Sequence, residues 1–158
     1  MKILSIDPGY GRIGIAVLEK NPSSKEELLY SNCFKTDSSL SLNDRVLSIG
    51  QEIESITKKH KPDILAIEKL YFTKNQKTAM GVAEARGVII YECSRKNMGV
   101  CEYTPLQIKI AVTGYGKATK KQVMDMTKRL MGGVENINQD DEIDAIAVGL
   151  TCIAHERL

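Results

Sequence analysis

Residues 2–18 read KILSIDPGYGRIGIAVL. A short apolar run ends at Asp7, which Pro8 and Gly9 follow, and a second apolar run resumes over residues 13–18. Because Pro and Gly interrupt strands and favour turns, this pattern predicts two strands joined by a turn. Asp7 then lies at the end of the first strand, on the rim of the sheet.

A third apolar run, ILAI at residues 64–67, ends at Glu68. An uninterrupted apolar tetrad is typical of a strand that is buried on both faces. If this strand is a parallel neighbour of the first, the carboxylates of Asp7 and Glu68 face the same cleft. Open α/β sheets commonly bind their ligands in such a cleft.

The remaining segments predict a mixed α/β fold. Residues 28–35 favour a third strand, and residues 42–59 carry apolar side chains at three- and four-residue steps, as in an amphipathic helix. After the strand at 64–67 the patterns predict a helix, a strand and three more helices, at residues 78–96, 100–103, 105–112, 120–130 and 140–155. We therefore expect one domain over residues 1–158, an α/β fold whose mixed β-sheet is flanked by helices on both faces.

Composition excludes several classes of protein. The 158 residues carry 22 Lys and Arg against 20 Asp and Glu, so the net charge of +2 gives no global sign of a polyanionic partner. The four cysteines form no C-x-x-C pair, which favours reduced thiols over a disulfide or a zinc site. No apolar run approaches the roughly 18 residues of a membrane span, and residues 1–9 do not resemble a signal peptide. We expect a cytoplasmic protein with no membrane partner.

A third group of acids, DDEID at residues 140–144, opens the last predicted helix. Asp141 and Asp144 are three residues apart and share one helix face, but Asp140 is four residues from Asp144 and could share it as well. Spacing therefore leaves the choice between Asp140 and Asp141 open. Each acid also has an ordinary interpretation, as a turn residue, a strand end or a residue that favours the helix dipole.

Together, the acids at Asp7, Glu68 and the last helix indicate metal chemistry. Two carboxylates about 4 Å apart repel by about 4 kcal/mol at an effective dielectric of 20, so a cluster of them requires a cation. Oxygen ligands select Mg²⁺, with Mn²⁺ as a substitute. Two such ions about 4 Å apart can activate water and stabilise the leaving oxygen of a phosphodiester.

Two segments are rich in lysine and could bind DNA. Residues 69–77, KLYFTKNQK, contain no acid and combine cations with aromatic rings that can stack on unpaired bases, or can instead fold into the core. Residues 109–121 also lack acids, and their glycines allow backbone N–H groups to approach a phosphate, although a solvated face is the simpler interpretation. The candidate DNA-binding residues in these segments are Tyr71, Phe72, Lys74, Lys109, Lys117, Lys120 and Lys121. Arg12, in the turn after Asp7, is a further candidate because it lies close to that acid.

Four blocks of sequence resemble a known family. They are IDPGYGRIG at 6–14, IE at 67–68 with KNQKTAMGVAEARG at 74–87, EYTPLQIKIAVTGYGKATKKQV at 102–123, and DEIDAIAVG at 141–149. In this order, over nearly the whole chain, they are similar to the RuvC family of bacterial Holliday-junction resolvases. The resemblance implies a ribonuclease H-like fold and a Mg²⁺-dependent endonuclease that makes symmetric paired nicks in homologous recombination and DNA repair.

The resemblance also implies roles for individual residues. The family's four catalytic, metal-binding acids fall on Asp7, Glu68, Asp141 and Asp144, because its D-x-x-D-A pattern selects Asp141. An aromatic residue that lies near the junction centre falls on Tyr71. Lysines with roles in DNA binding and cleavage fall on Lys109 and Lys120.

The implied substrate is a four-way DNA junction, with two metal ions in each active site. Symmetric cuts need two active sites related by a two-fold axis, so a homodimer is expected. The predicted helix at 78–96 is a candidate for the interface, since Gly81, Ala83 and Gly87 permit close approach. The branch-migration proteins RuvA and RuvB are further implied partners.

Three other functions compete with this one. An actin-like ATPase needs two lobes to enclose its nucleotide, which 158 residues cannot build. A junction-binding protein without cleavage activity has little support, since all four acids are present. A nuclease of the same fold that acts on RNA would be distinguished by comparing RNA duplexes with DNA junctions as substrates.

Overall fold

The computed structural model describes residues 1–70 and 76–156, and only the backbone of residues 76 and 77. These residues form five strands and five helices, in the order β1 (Lys2–Asp7), β2 (Arg12–Glu19), β3 (Glu27–Lys35), α1 (Leu42–His60), β4 (Ile64–Glu68), α2 (Gln76–Ser94), β5 (Gly99–Tyr103), α3 (Pro105–Thr113), α4 (Lys120–Met131) and α5 (Asp140–His155). Every predicted element is present. The largest difference in bounds is at α2, which begins and ends two residues before its predicted limits.

The strands form one sheet in the order β3-β2-β1-β4-β5. The β1–β2 and β2–β3 pairs are antiparallel, whereas the β1–β4 and β4–β5 pairs are parallel. Ile6 on β1 lies opposite Ile67 on β4, so the next residues, Asp7 and Glu68, leave the sheet side by side. The condition under which the two carboxylates face one cleft, a parallel pairing of these strands, is therefore met.

Helices cover both faces of the sheet, as predicted. Leu4, Ile6 and Ile67 point to the face on which α1 and α2 pack. Ile3 and Ala66 point to the opposite face, which α3, α4 and α5 cover. Successive side chains of a strand alternate between faces, so Asp7 and Glu68 share the face of α5.

Local signals set where the helices near this edge begin. The side chains of Thr104 and Thr119 cap α3 and α4, and each forms a capping box with a glutamine three residues later. Such caps stabilise a helix start by about 1 kcal/mol. Gly114 ends α3 in the left-handed conformation, at φ 71°. Lys120 is consequently the first residue of α4.

The glycines of α2 have different roles. A Cβ on Gly81 would lie 3.1 Å from the Tyr10 ring, so Gly81 is needed for packing inside the protomer. Gly81 thus permits close approach between α2 and Tyr10 of the same chain, and the interface on α2 stays a prediction. Gly87 is exposed, and a Cβ there would meet no atom within 4 Å. None of the helices in the described residues is long and apolar enough to cross a membrane.

Candidate active site

Helix α5 reaches the edge of the sheet through an unusually close contact with β2. A Cβ on Gly14 would lie 1.9 Å from the carbonyl oxygen of Asp141 and 3.3 Å from the Cβ of Ala145. Only glycine therefore permits the first turn of α5 to rest directly on the strand. This contact brings Asp141 and Asp144 to the edge where Asp7 and Glu68 leave the sheet.

The carboxylates at this edge oppose one another's ionisation. Burial, reinforced by the negative charges of Glu68 and of the acids on α5, raises the pKa of Asp7 to about 8. Burial and the charge of Asp144 raise the pKa of Glu68 to about 7. Burial also raises the pKa of Asp144, although a nearby lysine partly offsets this effect. The cluster therefore favours binding of a proton or a cation near neutral pH.

Two basic side chains partly neutralise the acids on α5. The Nζ of Lys120 lies 3.3 Å from a carboxylate oxygen of Asp140 and 3.3 Å from one of Asp144. Burial alone would lower the pKa of Lys120, but the charges of Asp144 and Asp140 raise it. The guanidinium of Arg12 forms an ion pair with Asp141. Both cations compete for oxygens that a metal ion would use.

An open pocket of about 240 Å³ adjoins the carboxylates. Glu68 and Asp144 form its acidic wall, and Lys109 and Lys120 form a basic wall beside it. The rest of the lining is largely apolar: Pro105, Ile108, Val123 and Ala147. A phosphate in this pocket would lie between cations and the acidic cluster, which suits a phosphodiester about to be attacked.

The donor chemistry at this edge fits a hard divalent cation. Asp7, Glu68, Asp141 and Asp144 offer only carboxylate oxygens, the ligands that Mg²⁺ and Mn²⁺ prefer. Within residues 1–70 and 76–156, no three His, Cys, Asp or Glu side chains lie as a ready-made metal-binding group. Asp141 and Asp144 are instead each engaged in an ion pair, with Arg12 and with Lys120 respectively.

The structure brings some predicted site residues together and leaves others apart. Lys109 and Lys120 adjoin the carboxylates, whereas Lys117 and Lys121 are exposed farther along the same basic segment. The guanidinium of Arg12 forms an ion pair with the carboxylate of Asp141. The predicted DNA-binding residues Tyr71, Phe72 and Lys74 lie outside the described residues.

Three further residues support the site and were missed in the sequence. Gly14 permits the close contact between β2 and α5, and a glycine inside an apolar strand is the sequence feature that could have indicated such a contact. The Cys33 thiol donates to the carboxylate of Asp141 at 3.5 Å. Arg86 donates to the carbonyl oxygen of Glu68 at 3.3 Å and forms an ion pair with Glu102. No sequence pattern could reveal the last two contacts, because they depend on how separate elements pack.

Comparisons with known proteins agree with this geometry. A family model described as "Crossover junction endodeoxyribonuclease RuvC" matches residues 3–152. The protein of that name from Caldicellulosiruptor saccharolyticus is 43% identical over 150 residues, which cover 95% of this chain and 90% of the relative. The one from Thermosipho melanesiensis is 43% identical over 156 residues, which cover 99% of this chain and 98% of the relative.

A solved structure shows the same fold. "T. thermophilus RuvC in complex with Holliday junction substrate" matches with a TM-score of 0.88 and 28% sequence identity. The match covers 96% of this chain and 92% of that chain. The expected ribonuclease H-like α/β fold is thereby confirmed.

Proposed function

The chain belongs to the RuvC family of crossover junction endodeoxyribonucleases, and we propose that Asp7, Glu68, Asp141 and Asp144 form the centre at which it cuts DNA. The chain is an endonuclease that resolves Holliday junctions. One observation supports this choice of residues above all others. Carboxylates from β1, β4 and α5 converge on one face of the sheet, where burial and the neighbouring negative charges raise the pKa of Asp7 and of Glu68.

We propose that Mg²⁺ is the cofactor, with two ions in each site and Mn²⁺ as a substitute. The four carboxylates would hold the ions, which would supply activation of water and neutralisation of the leaving 3′ oxygen. Hydrolysis would then leave 5′-phosphate and 3′-hydroxyl ends. Support comes from the carboxylate donor set and from mutual repulsion that a cation would relieve.

The chain's own cations would hold the scissile phosphate. Lys109 and Lys120 line the pocket beside Glu68 and Asp144, so a phosphate held there lies against the acids. Lys117 and Lys121 would contact phosphates farther along a duplex arm, and Arg12 remains a candidate at the opposite end of the cluster. Tyr71, Phe72 and Lys74 remain proposed contacts to the junction centre.

We propose that the whole chain, residues 1–158, folds as one domain and acts as a homodimer. Exposed apolar side chains support a contact through α1 and α2, where Leu47 is 60% exposed and Tyr91 is 64% exposed. Gly87 lies open between the two helices and permits close approach. Delivery of the junction by RuvA and RuvB, and action in the cytoplasm, follow from the family's role and are part of the same proposal.

The decisive experiment is cleavage of a labelled mobile four-way DNA junction with Mg²⁺ and with EDTA. We expect symmetric nicks in two opposed strands only with Mg²⁺, and none in linear DNA or RNA duplexes. Asp7→Asn should abolish the nicks while gel-shift binding of the junction persists, since the basic residues remain. Asp140→Asn is the matched control and should still cleave. An active Asp7→Asn protein would refute the proposed centre.

A further inference from the structure

Arg12, the first residue of β2, is anchored to the start of α5. Its Nη2 donates to a carboxylate oxygen of Asp141 and to the side-chain oxygen of Gln139, the latter at 3.1 Å. Gln139 is the residue before α5, yet its side chain makes no capping hydrogen bond with the helix. The polar groups around the helix start are therefore arranged about Arg12.

The sheet fixes the position of Arg12 relative to Asp141. Arg12 and Gly14 are two residues apart on β2, so they share the face on which α5 lies. Cys33 lies opposite Gly14 in the β2–β3 register, and its thiol donates to the same Asp141 oxygen that Arg12 contacts. Asp141 thus rests above Gly14, with a guanidinium and a thiol both directed at one oxygen.

The two members of the ion pair differ in exposure. The side chain of Arg12 is 52% exposed, whereas that of Asp141 is 24% exposed. A long exposed side chain can leave for solvent at little cost, because exposed ion pairs are weak. The backbone of Asp141 is held where the first turn of α5 rests on Gly14, so its carboxylate stays near this edge of the sheet. Any cation that needs this oxygen therefore has to displace Arg12.

We infer that Arg12 is a removable counter-ion of Asp141, which holds this carboxylate when no metal is bound and releases it to a divalent cation. The inference rests on the proposed function of Asp141 as a metal ligand. Arg12 is then a positioning residue, and its competition with the metal raises the concentration of divalent ion that the site requires. Lys120 has a different position, since it is shared between Asp140 and Asp144 and also lines the phosphate pocket.

The test measures metal binding without DNA, by titrating Mn²⁺ and following the free ion by electron paramagnetic resonance. Arg12→Gln should bind Mn²⁺ about two- to five-fold more tightly than the unaltered protein, the range expected for loss of an exposed ion pair. Arg12→Lys keeps the charge and should bind Mn²⁺ with nearly the affinity of the unaltered protein. Gln139→Ala removes only the second acceptor of Arg12 and should tighten binding by less than about two-fold.

Lys35 provides a matched control. It lies opposite Arg12 in the β2–β3 register and carries the same charge, but it forms no ion pair within the described part of the chain. Lys35→Gln should leave Mn²⁺ affinity unchanged. If Lys35→Gln tightens binding as much as Arg12→Gln does, the effect is one of general charge and the inference is overturned.

The outcomes also separate this inference from the proposed function. If Asp141→Asn binds Mn²⁺ as the unaltered protein does, Asp141 is not a metal ligand and the proposed function fails at this residue. If Asp141→Asn loses affinity but Arg12→Gln binds Mn²⁺ equally or more weakly, only the counter-ion role is overturned. Should Arg12→Gln not fold, Arg12→Met keeps most of the length of the side chain without its charge, and unchanged or weaker Mn²⁺ affinity in Arg12→Met overturns the inference.

Discussion

Replacing Gly14 with alanine should disable the enzyme although no acid is changed. The new Cβ would lie 1.9 Å from the carbonyl oxygen of Asp141, against 3.4 Å or more in ordinary contacts. Helix α5 and β2 would have to separate by about 1.5 Å, and a displacement of about 1 Å at a reacting group can cost 100-fold in rate. Crowding of this kind typically destabilises a core by about 1–3 kcal/mol.

Gly149→Ala is the matched control for Gly14→Ala, because it crowds the other half of the same helix. Its Cβ would lie 2.6 Å from the Leu18 side chain and 2.8 Å from the Ser5 hydroxyl, and side chains can move more easily than backbone. Both variants should melt at lower temperature. Only Gly14→Ala should lose 100-fold or more in single-turnover junction cleavage at saturating Mg²⁺. A folded Gly14→Ala protein that cleaves at the original rate would refute the role of the contact between Gly14 and α5.

Three further predictions follow from the charges and the exposed surface. In EDTA, the free energy of unfolding should fall as the pH rises from about 4 to 8, because the folded state raises the pKa of Asp7 to about 8 and therefore favours its protonated form. Asp7→Asn should flatten this pH dependence in thermal melts and raise the melting temperature at pH 8. Lys109→Ala and Lys120→Ala should each reduce the slope of log junction affinity against log salt by about 0.9, and unchanged slopes in gel-shift titrations would show that these lysines do not contact phosphates. Gly87→Glu should make the protein monomeric at micromolar concentration in sedimentation analysis, whereas a persistent dimer would place the interface away from α2.

The acids at the strand ends could be located from the sequence because short-range patterns determine them. An apolar run that ends in Asp7, and another that ends in Glu68, place both carboxylates on the rim of any sheet that contains the two strands. Their shared face follows from strand alternation once β1 and β4 are parallel neighbours. The pairing itself was an assumption at that point, and the structure confirms it.

The partners of the acids could not be predicted in the same way. Arg12 follows Asp7 by five residues and is predicted to contact DNA; its partner in the structure is Asp141, 129 residues away, which no local pattern indicates. Cys33 reaches the same carboxylate only because the β2–β3 register sets it opposite Gly14. Register and helix placement arise from packing over the whole chain, and a local pattern does not contain them.

The position of α5 depends on two glycines that carry no chemistry. Gly14 removes a side chain from the sheet beneath the first turn of α5, and Gly149 removes one from the helix where it crosses Leu18 and Ser5. With close contacts at both ends, the helix can neither tilt nor slide without a clash. The positions of Asp141 and Asp144 therefore depend on small residues at the two ends of the contact. It follows that a larger residue at Gly14 should strongly impair cleavage for steric reasons alone, although every acid is retained.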